Sequence, residues 1–522
     1  MLAFGKTGIL CCVELLLIFV LLVSSQLFAS PPVPALVFQN SMVLPRDKEI
    51  PIWGTASPNT MVFVDFAGQK EKAKADANGK WMVKLKPIQT SKTPEILCIS
   101  DGNESLELRD ILVGDVWLAA GQSNMEWPLR LEAHAGTELP NTNHPRIRFL
   151  NLGYAGQNYP TRAFGKDVLD RYNSKDFFRG SWQTSNPLDA RNFSAVAYYF
   201  AVNLNQKLDI PVGIIQMAVG GSPTESWISS DAMAKDQALQ PILKGDWVKN
   251  PVLDAWCQKR AMENISTGLK ANEAPKDENG PLHPFKPSFL WNYGIKGLIP
   301  FPIKGAIWYQ GESNSLSLPR VLQHEQLFKL LVSDWRKQWG LGDFPFYFCQ
   351  ISSIGTEKGY LSHHWPEFRD SQRRMATEMP NTGMAVTSDL GHRSDVHPTN
   401  KKEVGRRLAL CALAKTYQKN VPQGGPEPKT ILQKGNSLEI SFDNTLESLK
   451  TADGKAPISF EIAGEDGVFF AAEAVLEKAT IRLSSPKVQK PVSVRYGWRP
   501  FSEGNLINSA GLPASTFYIS MD

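Results

Sequence analysis

The sequence predicts an α/β fold: a mostly parallel sheet with helices on both faces, flanked in the chain by two β-rich modules. Three observations predict it. Between about residues 111 and 417, apolar runs of strand length alternate with helical stretches, which is the pattern of parallel strands joined by helical crossovers. Before 110 and after 430 the chain changes to short β-branched and aromatic runs broken by turn residues, the signature of small all-β units. Four polar clusters, GQSN, GGSPTES, QGESN and SDVH, each follow directly after a predicted strand. In such sheets ligands bind outside the carboxyl ends of the strands, so all four belong on one edge.

The elements follow in order. Lys6, the apolar stretch ILCCVELLLIFVLLV (9–23) and the small residues after it match a secretory leader over residues 1–30. The stretch is shorter than the ~20 residues that span a bilayer; the alternative is an uncleaved N-terminal anchor. Residues 31–110 form the first β domain, with MVFVDF, KWMVKLK and ILCIS as strands. Residues 111–421 form the central domain. Its ILVGDVWLAA is apolar throughout, as a strand buried on both faces must be. In SAVAYYFAVNLNQKL (194–208), Ser194 is placed to cap a helix, and Val196, Phe200 and Leu204 recur every four residues. PVGIIQMAVGG and GAIWYQGESN repeat the strand-then-cluster design. Residues 321–339 and 365–379 read as helices and 382–389 as a strand. Asn400 and Glu403 stand in capping-box spacing before the last helix. Residues 230–300 are irregular and read either as a long surface insertion or as a helical excursion. PQGGPEP (422–428) is a linker, and 429–522 form the second β domain.

Composition narrows the function. A net charge of +4 over 522 residues is too weak to argue for nucleic acid or an anionic membrane. The six cysteines include two in the leader, and the other four are scattered, so neither a disulfide framework nor a metal cluster is expected. No cofactor is called for.

The strand-end clusters suggest acyl transfer. A serine hydroxyl needs a base to become a nucleophile, and histidine is the side chain suited to that near neutral pH. Ser123 and His397 are the pair. Asp395, two residues before His397 in an extended segment, points to the same side and can orient the ring. The negative charge that builds on the carbonyl oxygen needs donors. The backbone N–H groups of Ser123 and Gly221 and the side-chain amides of Gln310 and Asn314 are the candidates. Gln122 and Arg369 are assigned to the substrate, with His363, His364 and Trp365 read as lining its pocket. Glu225 and Glu312 are assigned structural roles, holding the loop amides, and no metal site is assigned.

The motifs GQSNMEW, GGSPTESW, WYQGESNS, FRDSQRRM and DVHPTNKKEVGRRLA, with the tail NLINSAGLPASTF, resemble the sialate O-acetylesterase family within the GDSL/SGNH hydrolases. The resemblance runs from about residue 35 to the C-terminus. It implies a flavodoxin-like three-layer α/β/α SGNH hydrolase domain with flanking β-sandwich modules. It also implies metal-independent removal of acetyl groups from sugar hydroxyls, with Ser123 as nucleophile, His397 as base and the GGS and QGESN blocks as oxyanion hole. Two departures stand out. The acid usually lies three residues before the histidine, where this chain has Ser394, so Asp395, Asp389 or a backbone carbonyl is left to orient His397. The Gly-x-Asn-Asp block aligns with Gly311, Glu312, Ser313 and Asn314, so serine fills the asparagine slot.

The expected activity is therefore that of a secreted serine esterase acting on acetylated sugars, with no membrane contact after leader cleavage. Acetylated sialic acid and acetylated xylan or another polysaccharide are both open as substrates. A glycan-binding protein without turnover and a long-chain lipase or thioesterase are the competing readings.

Overall fold

The computed structural model describes residues 31–157 and 162–521; the expected leader lies outside them. The chain is a mixed α/β protein built around one sheet. Its strands are β1 (Ser105–Gly121), β2 (His144–Tyr154), β3 (Phe178–Ser185), β4 (Val212–Ala218), β5 (Gly305–Tyr309), β6 (Phe346–Cys349) and β7 (Thr382–Ala385), in spatial order β3-β2-β4-β1-β5-β6-β7. All neighbouring pairs are parallel except β3 with β2. This strand order differs from the 2-1-3-4-5 order of flavodoxin itself. The chain leaves β2, returns antiparallel along β3, and inserts β4 between β2 and β1.

The alternation within the apolar runs explains why they carry so few polar residues. In β1, Val116, Leu118 and Ala120 enter one core and Trp117 and Ala119 the other; in β5, Ala306 and Trp308 part from Ile307 and Tyr309 in the same way. Helices α2 (Ala195–Leu208) and α6 (Lys401–Lys415) cover one face, and α4 (Leu318–Trp339) and α5 (Trp365–Glu378) the other. Ser194 Oγ accepts from Ala197 N at 3.1 Å, and Gln216 Oε1 takes the Ser194 N–H at 2.6 Å, so a polar strand residue finishes the cap. Asn400 caps α6 through Glu403 N, but Glu403 turns its carboxylate to Arg406 and Arg407 and leaves the box open.

The anticipated boundary at 110/111 falls inside β1, which runs unbroken for 17 residues. The amino-terminal strands pair with its first half, and Val62, Val64, Leu97 and Ile99 belong to the same apolar core as Val116, Leu331 and Phe346. Of the two readings of residues 230–300, the helical excursion holds and the surface insertion does not. These residues contain helix α3 (Ala255–Lys270), capped by Asp254, whose Cys257, Ala261, Ile265 and Gly268 face the core at helical spacing. The carboxyl-terminal residues form two four-stranded antiparallel sheets over a core of their own, including Ile440, Leu483, Ile462 and Phe517. Among the described residues no helix is long and apolar enough to cross a membrane.

Candidate active site

The ends of β1, β4 and β5 and the loop after β7 converge. At Gly121 the backbone takes φ 137°, and a Cβ there would lie 2.2 Å from the Tyr309 carbonyl oxygen. Only glycine lets β1 pass β5 this closely. Gln122 N then bonds Tyr309 O at 2.9 Å, and Ser123 opens a one-turn helix, α1 (Ser123–Glu126). Its Oγ lies 2.8 Å from His397 Nε2, although 274 residues separate the two. The His397 ring stacks on Trp127 with centroids 5.2 Å apart. Burial, followed by the Lys401 ammonium, holds the imidazole below its ordinary pKa, against a weaker opposing pull from Asp395.

Asp395 is not bonded to the ring. Its Oδ1 is 3.8 Å from Nδ1 and instead accepts the backbone N–H of His397 at 2.9 Å. Asp389 is held by Arg407 in a two-pronged pair at 2.6 and 2.7 Å. The spacing argument put the Asp395 carboxylate on the correct side but missed that a turn two residues long consumes it. Asp395→Asn keeps that turn, so kcat should fall less than about tenfold, where an orienting triad acid costs about 10⁴. Steady-state kinetics of the purified variant check this; a loss near 10⁴ would restore Asp395 as the orienting group.

Directly behind the pair sits a buried junction that the sequence did not reveal. Asn124 is fully buried; its Nδ2 donates to Glu312 Oε1 at 2.5 Å and to Val396 O at 3.1 Å, and its Oδ1 accepts from Lys401 Nζ at 2.5 Å. Asn124 thus ties the nucleophile turn to the QGESN loop and to the residue before His397. The Lys401 ammonium also lies 5.8 Å from the Trp127 ring centre and 5.4 Å from that of Tyr309. Burial pushes its pKa down to about 7 and raises that of Glu312. Lys401 escaped notice because lysine is so rarely buried. Glu126, also missed, lies beside Gly220 with Gln157 Nε2 at 3.0 Å, and burial raises its carboxyl to about 7.

Of the expected oxyanion donors, the backbone N–H groups of Ser123 and Gly221 have no partner among the described residues. The Gly220–Gly221 turn faces the nucleophile: a Cβ built on Gly220 would lie 3.7 Å from Ser123 Cβ. Gln310 and Asn314 do not serve as anticipated. Both are fully buried. Gln310 Nε2 donates to Asn314 Oδ1 at 2.6 Å and Ser222 O at 3.3 Å, and its Oε1 accepts from Thr224 Oγ1 at 2.6 Å. Asn314 Nδ2 donates to Glu225 Oε2 at 3.0 Å, while Arg320 holds the other oxygen of that carboxylate. These amides brace the loops, and Glu225 and Glu312 are parts of the same bracing. Gln122 Oε1 accepts from Gly311 N and Ser313 N at 3.3 and 3.4 Å, and its Nε2 has no partner among the described residues.

Arg369 is not a substrate residue. It is 0 % exposed, and its guanidinium bonds Thr516 Oγ1 and the carbonyls of Gly497, Arg499 and Pro500. It joins α5 to the carboxyl-terminal sheets. Trp365 packs in a small core with Phe368 and Ile351, His363 is exposed, and His364 precedes α5. Among the described residues no three His, Cys, Asp or Glu side chains gather as a metal site.

Known proteins match this chain over most of its length. Residues 295–414 match the family described as carbohydrate esterase, sialic acid-specific acetylesterase. The chain is 30% identical over 458 residues to the sialate O-acetylesterase of Mus musculus, covering 81% of this chain and 80% of that protein. It is 30% identical over 429 residues to that of Homo sapiens, covering 75% and 72%. The crystal structure of a carbohydrate acetylesterase from Xanthomonas citri superimposes with a TM-score of 0.76 at 30% identity, over 94% of this chain and all of that one. With a serine hydroxyl already placed on an imidazole at the edge of the sheet, these likenesses settle its kinship: the chain belongs to the sialate O-acetylesterase family of carboxylic ester hydrolases.

Proposed function

We propose that the protein is an exported esterase that removes O-acetyl groups from sugars through an acetyl-enzyme, on an SGNH-type domain with flanking β-sandwich modules. The observation that carries this reading is the 2.8 Å contact between Ser123 Oγ and His397 Nε2. His397 takes the proton as Oγ attacks the acetyl carbonyl, and the N–H groups of Ser123 and Gly221 receive the oxyanion. Gln122 Nε2 is available as a third donor. The protonated imidazole then returns its proton to the departing sugar oxygen. Water, deprotonated by the same ring, releases acetate from Ser123. Trp127 and the Asn124 anchor on Val396 hold the ring in the role an acid would fill. The names of the relatives favour an acetylated sialic acid as substrate, with acetylated polysaccharides as the second choice.

The experiment is acetate release from acetylated sialic acids and acetylated xylan as a function of pH. Only the neutral imidazole can accept the serine proton, and its pKa is held below 6.5. The rate, kcat/KM, should therefore rise with pH through a limb centred below 6.5 and be level at neutrality. Removing the neighbouring cation in Lys401→Met should move that limb upward. No acetate from any of these esters would overturn the reading.

A further inference from the structure

Helix α3 brings one side chain to the site that the reaction itself does not use. Trp256, at its first turn, lies against the oxyanion glycine: a Cβ built on Gly221, whose φ is 73°, would be 3.1 Å from Trp256 Cη2 and 2.9 Å from Phe285 Cζ. Phe285 is buried and stacks beside the indole, with centroids 6.1 Å apart and planes 22° from parallel. Arg260, one helical turn further on, places its guanidinium 5.7 Å from the indole centre. The indole is therefore fixed from two directions, yet it is 38% exposed. None of the other thirteen of the fourteen tryptophans reaches that exposure. An indole left in water costs free energy that covering it would recover, and the one so left stands next to Gly221.

We propose that Trp256 is the wall against which the ring of the acetylated sugar packs, and so determines specificity for sugar esters over esters of small alcohols. The inference rests on the esterase reading above. An acetyl carbonyl oxygen held by the N–H of Gly221 leaves its alcohol within reach of the indole. A pyranose offers a face of C–H groups that matches an aromatic surface, and a short alkyl alcohol offers almost none. Trp256 does no chemistry, so its effect falls on sugar binding and is shared by ground and transition states.

The test compares the full chain with Trp256→Ala and Trp256→Phe on a methyl O-acetyl-hexopyranoside and on ethyl acetate. Trp256→Ala should lower kcat/KM on the sugar ester about tenfold more than on ethyl acetate, chiefly through KM, as expected for losing one ring–aromatic contact. Trp256→Phe should recover part of that loss. Equal losses on both esters, or none on the sugar ester, would overturn the wall while leaving the esterase intact. A wild-type protein inert on both, and on the acetylated sialic acids and xylan above, would overturn the esterase reading, and the wall with it.

Discussion

Ser123→Ala should lower acetate release by about 10⁴- to 10⁶-fold, the range seen when the nucleophile of a serine hydrolase is removed. The side chain is small and partly exposed, and among the described residues its only hydrogen bond is the one to His397, so the variant should fold and melt as the parent does. The residual rate comes from groups the substitution leaves in place, namely the N–H donors and the imidazole, which can still direct a water molecule. The measurement is kcat on an acetylated sugar, with acetate counted directly. A loss of less than a hundredfold would show that the covalent route through position 123 is not the one used.

Asn124→Ala should produce the largest combined loss of stability and rate among the residues that do not touch the substrate. One side chain supplies partners to a buried carboxylate, a buried ammonium and a partly buried carbonyl. Alanine leaves all three short of a bond and parts Glu312 from Lys401. Buried groups stranded in this way cost about 3 kcal/mol in total, even after neighbours relax. The free carbonyl of Val396 also lets the His397 loop drift. A misplacement of about 1 Å at a reacting group costs about a hundredfold in rate. Urea denaturation and kcat measured on the same preparation check both halves. Retention of full stability would mean that the junction is a by-product of packing.

The parts of this site that could be read from the chain share a property: they are local. Apolar runs that stop at glycine mark the strand ends before Ser123 and at Gly221, and His397 stands between the run MAVTSD and a capped helix, so the sequence assigns all three to one edge. Gln310, Asn314 and Arg369 were misjudged for one reason. Side chains able to bond a ligand are equally able to bond a loop, and only three-dimensional neighbours decide which. Lys401 lay in a stretch whose pattern announces a helix start, and helix periodicity says nothing about a cation turned inward. Residues 255–270 hid a regular helix behind alanine, glycine and cysteine, which contribute little to an apolar stripe. The strand order was beyond reach, because nothing in β2 or β4 records which of them sits beside β1.

Strand β1 has a mechanical consequence. It carries the amino-terminal strands on one end and the nucleophile just past the other, with a bulge between them at Asp110, where φ is 62°. Its second half is bonded on both sides, to β4 and β5, so the gripped end and the hydroxyl are parts of one continuous sheet. The amino-terminal strands are in effect the handle of the tool whose tip is Ser123.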